Sequence, residues 1–532
     1  MTAMTSWGGL TWGDLVTTAL LGTDRRPAAP GTAEPALKLL DTAALQTVRR
    51  RAGLRAASVA ELPKPAPLDG RPELPEPARR RLAQLLADRA ATGGSGRRGA
   101  APDLTELLPQ WLSTANEHGY RAPAELLPAL LDTARARSDL RPQALALAGA
   151  KGLWLAELNP EWRFALRTSA VCPARPDPGD RAAVEWLWEE GLFAERVSLL
   201  ASVRQQDPAA GRKLLAGSWR TERAEDRLMF LDALRSGLSE ADEDFLEQAL
   251  SDRSRNVRST AAELLATLPG SALAKRMADR ARSYVGPDRT EGGGAHRIAV
   301  EAPSECDAEM QRDGVVLKPP AGRGERSWWL VQLVEAAPLD CWRERFAGLS
   351  AAQIVRLPVA EGWAEELHAA WCRAAVRQRD PQWARALLGE AAAPAAASPA
   401  TASLAERAKL LATLPEADRS SWVAHFVAAH GLSEAFQLLA VCAAPWAAPL
   451  GRAVVDALDL ARDAGGYPWS FSGAMGLAER CLDPAEAGAL EGLVAPSVEA
   501  EESPGGDYWG EAFQRLVSTL RLRADMQAEL TP

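Results

Sequence analysis

Residues 250–269 read LSDRSRNVRSTAAELLATLP. Ala261, Ala262, Leu264, Leu265 and Leu268 recur at the period of a helix face, and Pro269-Gly270 stops the run. Arg258, inside this stretch, is the third of three arginines, after Arg196 and Arg227, at a constant spacing of 31 residues. Alignment on that period brings Leu200, Leu231 and Ala262 into one column. Val203, Leu234 and Leu265 form a second, and Leu215, Leu246 and Met277 a third. Each unit reads as a first helix (197–203, 228–234, 261–268), a turn marked by Asp207-Pro208, Gly237 or Pro269-Gly270, and a second helix (214–219, 245–250, 273–281). One such pair cannot bury its apolar face alone, so a fixed period of pairs predicts stacking.

The stretch resembles the HEAT repeat family, whose units carry an acidic residue, then Val-Arg, then small residues and leucines. Here these are Asp252, Val257-Arg258, Ala261-Ala262 and Leu264-Leu265. The resemblance implies that Asp and Arg bridge adjacent units. The period is shorter than the ~40 residues of HEAT arrays, so the likeness is to the architecture, over residues 191–285. The string LLATLP at 264–269 returns at 410–415 and points to a further unit.

Elsewhere in the chain, four stretches lack apolar periodicity and read as loop or linker: 63–77 with its prolines, TGGSGRRGAAP at 92–102, GPDRTEGGG at 286–294 and AAAPAAASPATA at 391–402. Between them the pattern is helical. Trp12, Leu15, Val16, Ala19 and Leu20 share a face, and Gly22 should end that helix with a positive φ. Residues 104–158 read as two or three helices separated by Pro123 and Pro142, and 508–530 as one with Phe513, Leu516 and Leu520 inward. The β-branched runs at 296–300 (HRIAV) and 314–317 (GVVL) are candidates to pair as a hairpin. The fold class expected is all-α: an irregular α-solenoid of HEAT-like helical pairs with a small β insertion near 296–317. Its expected parts are an N-terminal helical region (1–90), a repeat region (103–285), the loop and β insertion (286–320), a helical region (321–390) and a C-terminal helical region (403–532).

The whole chain has 532 residues, 47% of them hydrophobic, and a net charge of −9, a globular composition that counts against nucleic-acid binding through bulk charge. No run reaches the ~18 apolar residues of a membrane span. The start of the chain, with Asp14 and no basic stretch, does not read as a secretory signal. Six scattered cysteines, none in C-x-x-C spacing, fit a reducing cytoplasm.

Catalytic signatures are missing. There is no G-x-x-x-x-G-K-[ST], and the loop Gly93–Arg98 follows no strand, so the chain alone is expected neither to bind nor to hydrolyse ATP. His425 and His430 stand five apart, on different faces of a helix, and metal pairs want four. Acidic pairs such as Glu189-Glu190 and Glu365-Glu366 read as solvated faces. Trp7, Trp12, Trp186, Trp188, Trp328, Trp329, Trp363, Trp371 and Trp383 sit at helical spacings and read as core wedges, a few remaining as interface anchors.

Three strings carry a second resemblance: Leu20-Leu21-Gly22-Thr23-Asp24-Arg25-Arg26-Pro27, the run from Gly152 to Trp162 (GLWLAELNPEW), and Gly324-Glu325-Arg326 followed by Trp329-Leu330. Together they resemble an uncharacterised bacterial helical-repeat family with L-x-G-T-[DE]-R and W-L-x-x-x-N-P-x-W motifs. Its members are often encoded beside MoxR-type AAA ATPases, von Willebrand A-domain proteins and SWIM zinc-finger proteins. The resemblance implies an accessory component with no catalytic residues. The expected function is a non-enzymatic protein–protein scaffold or adaptor in a cytoplasmic bacterial complex, with an AAA ATPase and a von Willebrand A protein as partners. No cofactor, metal or membrane is expected. A nucleic-acid-binding protein with a local Arg-rich groove and an enzyme of unknown reaction are the alternatives. Asp24, Arg25 and Arg26 are the expected partner-binding residues, two guanidiniums held in tandem at a helix-ending turn.

Overall fold

The computed structural model describes residues 12–22, 34–51, 63–91, 104–168, 180–288, 297–393, 403–494 and 506–531. Their regular structure is helical apart from one two-stranded sheet, and the chain divides into two compact units, Met1–Ala66 and Pro67–Pro532.

The first unit is a helical pair, α1 (Trp12–Leu21) and α2 (Pro35–Arg51). Leu15 is buried against Trp12, Leu39 and Ala43. Gly22 closes α1 at φ 85°, the left-handed conformation expected of it.

The second unit opens with α3 (Glu76–Ala91), α4 (Leu104–Glu117), α5 (Leu127–Ala136), α6 (Arg141–Leu158) and α7 (Phe164–Thr168). Pro142 begins α6 rather than breaking it, since proline suits a first helical turn. The break in α6 comes at Gly149, φ 58°. There the Arg71 guanidinium, donating to the Ala146 carbonyl at 2.9 Å, occupies the space a Cβ would need.

The stacked pairs follow: α8 (Arg181–Glu190), α9 (Phe193–Gln206), α10 (Pro208–Ser218), α11 (Ala224–Ala233), α12 (Glu243–Ala249), α13 (Arg255–Leu265) and α14 (Ala272–Tyr284). The first helices, α9, α11 and α13, begin 31 residues apart and pack in sequence, and Arg196, Arg227 and Arg258 are each the fourth residue of their helix. All three apolar columns are buried.

The sheet is β1 (Val285–Pro287) antiparallel to β2 (Ile298–Val300). β2 thus pairs with the residues that leave α14, not with 314–317. The run at 314–317 needs no strand partner, because the Gln332 side-chain amide takes both main-chain groups of Val316, accepting from its N–H at 2.8 Å and donating to its carbonyl at 3.2 Å. The Trp328 indole donates to the same carbonyl at 2.8 Å.

Helices resume with α15 (Ala308–Arg312), α16 (Glu325–Ala336), α17 (Asp340–Arg345), α18 (Ala351–Val355), α19 (Ala364–Gln378) and α20 (Pro381–Leu388). The last group is α21 (Leu404–Thr413), α22 (Glu416–His430), α23 (Leu432–Leu439), α24 (Ala448–Asp463), α25 (Ser472–Cys481), α26 (Ala487–Val494) and α27 (Gly506–Leu530). One core runs without interruption from Val184 to Leu520, so the stacking continues past the linker at 391–402. α27 belongs to two cores: Phe513, Leu516 and Leu520 to this one, Met526 and Leu530 to that of α3–α6. Arg81 meets Glu529 at 2.7 Å, and the Gln110 amide donates to the Arg480 carbonyl at 2.6 Å. The first and last helices of this unit are therefore neighbours, unlike the ends of a simple stack.

Candidate partner-binding surface

The three strings singled out in sequence prove to have different fates. Gly22 is placed as expected, but Asp24, Arg25 and Arg26 lie outside the described residues. In GLWLAELNPEW, the Asn159 side chain accepts from the Glu161 N–H at 3.0 Å and caps a 3-10 turn, Pro160–Trp162. The Trp162 indole donates to Asp132 at 2.9 Å. In the third string, Arg326 donates to the Ala302 and Pro303 carbonyls at 2.5 and 3.0 Å, and Trp329 donates to the Leu317 carbonyl at 2.8 Å. Both strings serve as corners of the fold.

Arginines perform the same service throughout the stack. Arg196 pairs with Glu222 and Arg227 with Asp252, each reaching the loop before the next first helix, so charges do bridge adjacent units. Arg258, the third of the column, instead caps its own loop at the Asp252 and Arg253 carbonyls. Arg204 is fully buried. It forks onto Asp242 at 2.9 and 3.1 Å and donates to the carbonyls of Pro208, Leu234, Ser236 and Gly237. Burial pushes the Asp242 carboxyl up, but the Arg204 and Arg212 guanidiniums outweigh it and hold the group below its ordinary value. Asp313 is buried and held down in the same way by Arg276 and Arg280, which tie α14 to the segment after α15.

Four of the five cysteines among the described residues are buried. Burial pushes the thiols of Cys341, Cys372 and Cys442 up to about 12, against service as thiolates. No group of three or more His, Cys, Asp or Glu residues is placed to hold a metal ion among them, and no helix among them is long and apolar enough to cross a membrane.

One exposed cluster is aromatic. Ala464-Gly465-Gly466 follow α24, where Gly465 takes φ 73° and the Gly466 N–H reaches back to the Ala461 carbonyl at 3.0 Å. This is a Schellman close, and it turns the chain sharply into Tyr467-Pro468-Trp469. The turn is held from below: the buried Trp509 indole donates to the Gly466 carbonyl at 2.7 Å. Above it Tyr467 stacks on Trp469 at 4.5 Å, and Tyr508 meets Trp469 edge-on at 5.4 Å. Trp469 is 57% exposed, and both tyrosines are also exposed. Two of the chain's four tyrosines stand here. Beside them Ser472, Met475, Glu511 and Arg515 border a hollow of about 210 Å³. On its other side the turn adjoins, at Ala464 and Phe471, a groove of about 910 Å³ between α22 and α24, with Arg452, Asp456 and the exposed Leu460 on its walls.

Of the tryptophans named from helical spacing, Trp188, Trp329, Trp371 and Trp383 are buried, as core wedges should be, while Trp186 is exposed. Trp7 lies outside the described residues. Trp469 escaped that reading because it stands in a turn, where no helical spacing marks it. The signal in the sequence was the string GGYPWSF at 465–471, which joins chain-turning glycines to aromatics.

A family model described as a family of unknown function matches residues 14–530. No curated protein and no solved structure matches the chain.

Proposed function

The chain belongs to DUF5691, a family of unknown function, and from that premise we propose that it is a non-enzymatic scaffold that binds other proteins in a cytoplasmic bacterial complex. The observation that supports this reading is the aromatic turn. Tyr467, Trp469 and Tyr508 are large side chains on a rigid support, exposed together and flanked by charged groups. Tyr and Trp dominate the residues that carry binding energy at protein interfaces, because they bury much area for few rotatable bonds. The adjoining groove offers apolar walls to the rest of a partner. The partners proposed are the MoxR-type AAA ATPase and the von Willebrand A-domain protein that the motif resemblance implies.

Copurification of the full chain with each candidate, followed by calorimetry, tests this. Trp469→Ala should weaken a true partner by more than about 2 kcal/mol, roughly 30-fold. Unchanged affinity would remove the aromatic turn from the interface, and failure of both candidates to bind would remove the partner assignment. Turnover of any substrate by the purified chain would overturn the non-enzymatic reading.

A further inference from the structure

The seam between α4 and α27 holds a cation that no carboxylate answers. Arg523 is 7% exposed. Its Nη1 donates to the Glu479 and Leu482 carbonyls at 3.2 and 2.6 Å, where α25 ends. It makes no other hydrogen bond and no ion pair among the described residues. Carbonyls orient a guanidinium but leave its charge in place, and a buried charge without a counter-charge is costly. Arg81 of α3, which also meets α27, shows the usual remedy: Glu529 stands 2.7 Å away and raises its pKa. Burial pushes the Arg523 guanidinium below its ordinary value, and nearby Asp483 offsets this only in part.

Arg523 also lines a cavity of about 30 Å³ between the two helices. The Gln110 amide and the Thr114 hydroxyl at this cavity are spent on the Arg480 and Gln110 carbonyls. Two further donors are not spent. Trp111 is 3% exposed, and its indole N–H is buried with no acceptor among the described residues. Gln527 follows Arg523 by one turn of α27, and its side-chain amide has no partner among them. Leucines and a methionine form the remaining walls. Buried polar groups in a native fold find partners. Guanidinium and indole can only donate, so the partner they call for is an acceptor, and the charge of Arg523 makes it an anion. Water would serve the N–H groups and leave that charge unanswered. The cavity has room for a ligand of about the size of one water, which admits a halide and not a phosphate group. We propose that this cavity binds one chloride ion, held by Arg523 and Trp111 with Gln527 closing over it, and that the ion pins α27 to α4.

Thermal melts of the full chain in mixtures of sodium chloride and sodium gluconate at constant ionic strength test this. A ligand that binds only the folded chain raises Tm with its concentration, so chloride should raise it and the rise should saturate. Trp111→Phe keeps the ring and removes the N–H, and should raise the chloride needed for half the effect about tenfold. Gln527 is exposed, so Gln527→Glu should fold. It sets a carboxylate one turn from Arg523 in place of the ion. Its Tm in gluconate should approach that of the parent in chloride, with no further response to chloride. Crystals grown in bromide should show an anomalous peak beside Arg523 in the parent and none there in Gln527→Glu. A Tm indifferent to chloride, or a response that Gln527→Glu retains in full, would overturn the proposal. So would crystals without the bromide peak, which would make water the occupant. A peak in a chain whose Tm ignores chloride would mean an adventitious ion only, and would overturn it too.

Discussion

In the stack from α8 to α14, Trp188, Trp219, Phe230 and Phe245 pack on one another and against guanidiniums. At the turn after α24 the rings are exposed. Trp188 and Phe230 pack at 5.2 Å under the Arg196 guanidinium, and Trp219 meets Phe245 at 5.0 Å beside Arg227. Each arginine in turn holds a carboxylate of the next loop. Tyr467, Trp469 and Tyr508 form a stack of similar size, but it lies on the outside. Both clusters bring aromatic rings close together, and among the described residues only the first is covered by neighbouring side chains. The stack spans a repeat, so each side chain has a counterpart from the neighbouring unit. The turn closes one helix and has no such neighbour above it among the described residues.

That contrast breaks down first at Asp242 if it is wrong. The carboxylate sits at the centre of the stack, facing the fully buried Arg204. Asp242→Ala strands a buried guanidinium and should cost about 3–5 kcal/mol, read as lost hydrogen-exchange protection across α9–α12. Replacing both partners, Arg204→Met with Asp242→Leu, should recover much of it, because the desolvation cost disappears with the charges.

Acid gives a second measure of the same knot. Asp242, Asp313 and Glu222 all titrate below their ordinary values in the fold: burial pushes each carboxyl up, and its arginine partners outweigh that. Below about pH 4 the unfolded chain therefore binds more protons than the folded one, and stability falls as pH falls through the depressed values. Asp242→Asn removes one of these groups. The variant should be weaker at neutral pH and lose stability less steeply in acid, as measured by denaturant midpoints across the pH series.

Much of the stack was legible in sequence, for a physical reason. A repeat imposes the same apolar face and the same arginine at one period, so Arg196, Arg227 and Arg258 announced three equivalent helices. The β insertion was legible in kind but not in pairing, because a side-chain amide, Gln332, replaced the strand expected beside Val316. The aromatic turn was not legible by period at all, and its three rings come from segments some forty residues apart that the Trp509–Gly466 hydrogen bond and the packing of Phe471 on Trp509 bring together. Asp24, Arg25 and Arg26, read as the partner site, remain outside the described residues. Trp469→Ala should therefore change stability by less than about 1 kcal/mol, in denaturant melts of the full chain. A larger loss would mean that the outer stack props up the turn and that the two clusters are alike after all.

The smallest effect is expected one repeat away from Arg204. Arg235 stands 31 residues later, in the same column of the repeat, and it too holds acidic partners: Asp232 at 2.7 Å and Glu263 at 3.0 Å. Here all three side chains are between 44% and 65% exposed. Water solvates each charge whether or not the bridge forms, and the long side chain loses freedom when it does. Arg235→Ala should cost at most about 1 kcal/mol, and that cost should vanish in high salt, where exposed charges are screened within about 3 Å at 1 M. Arg204→Ala should keep its full penalty in the same salt, because neither partner is in contact with the ions. If the two arginines respond alike, burial is not what separates them, and the column position alone sets the role of an arginine in this stack.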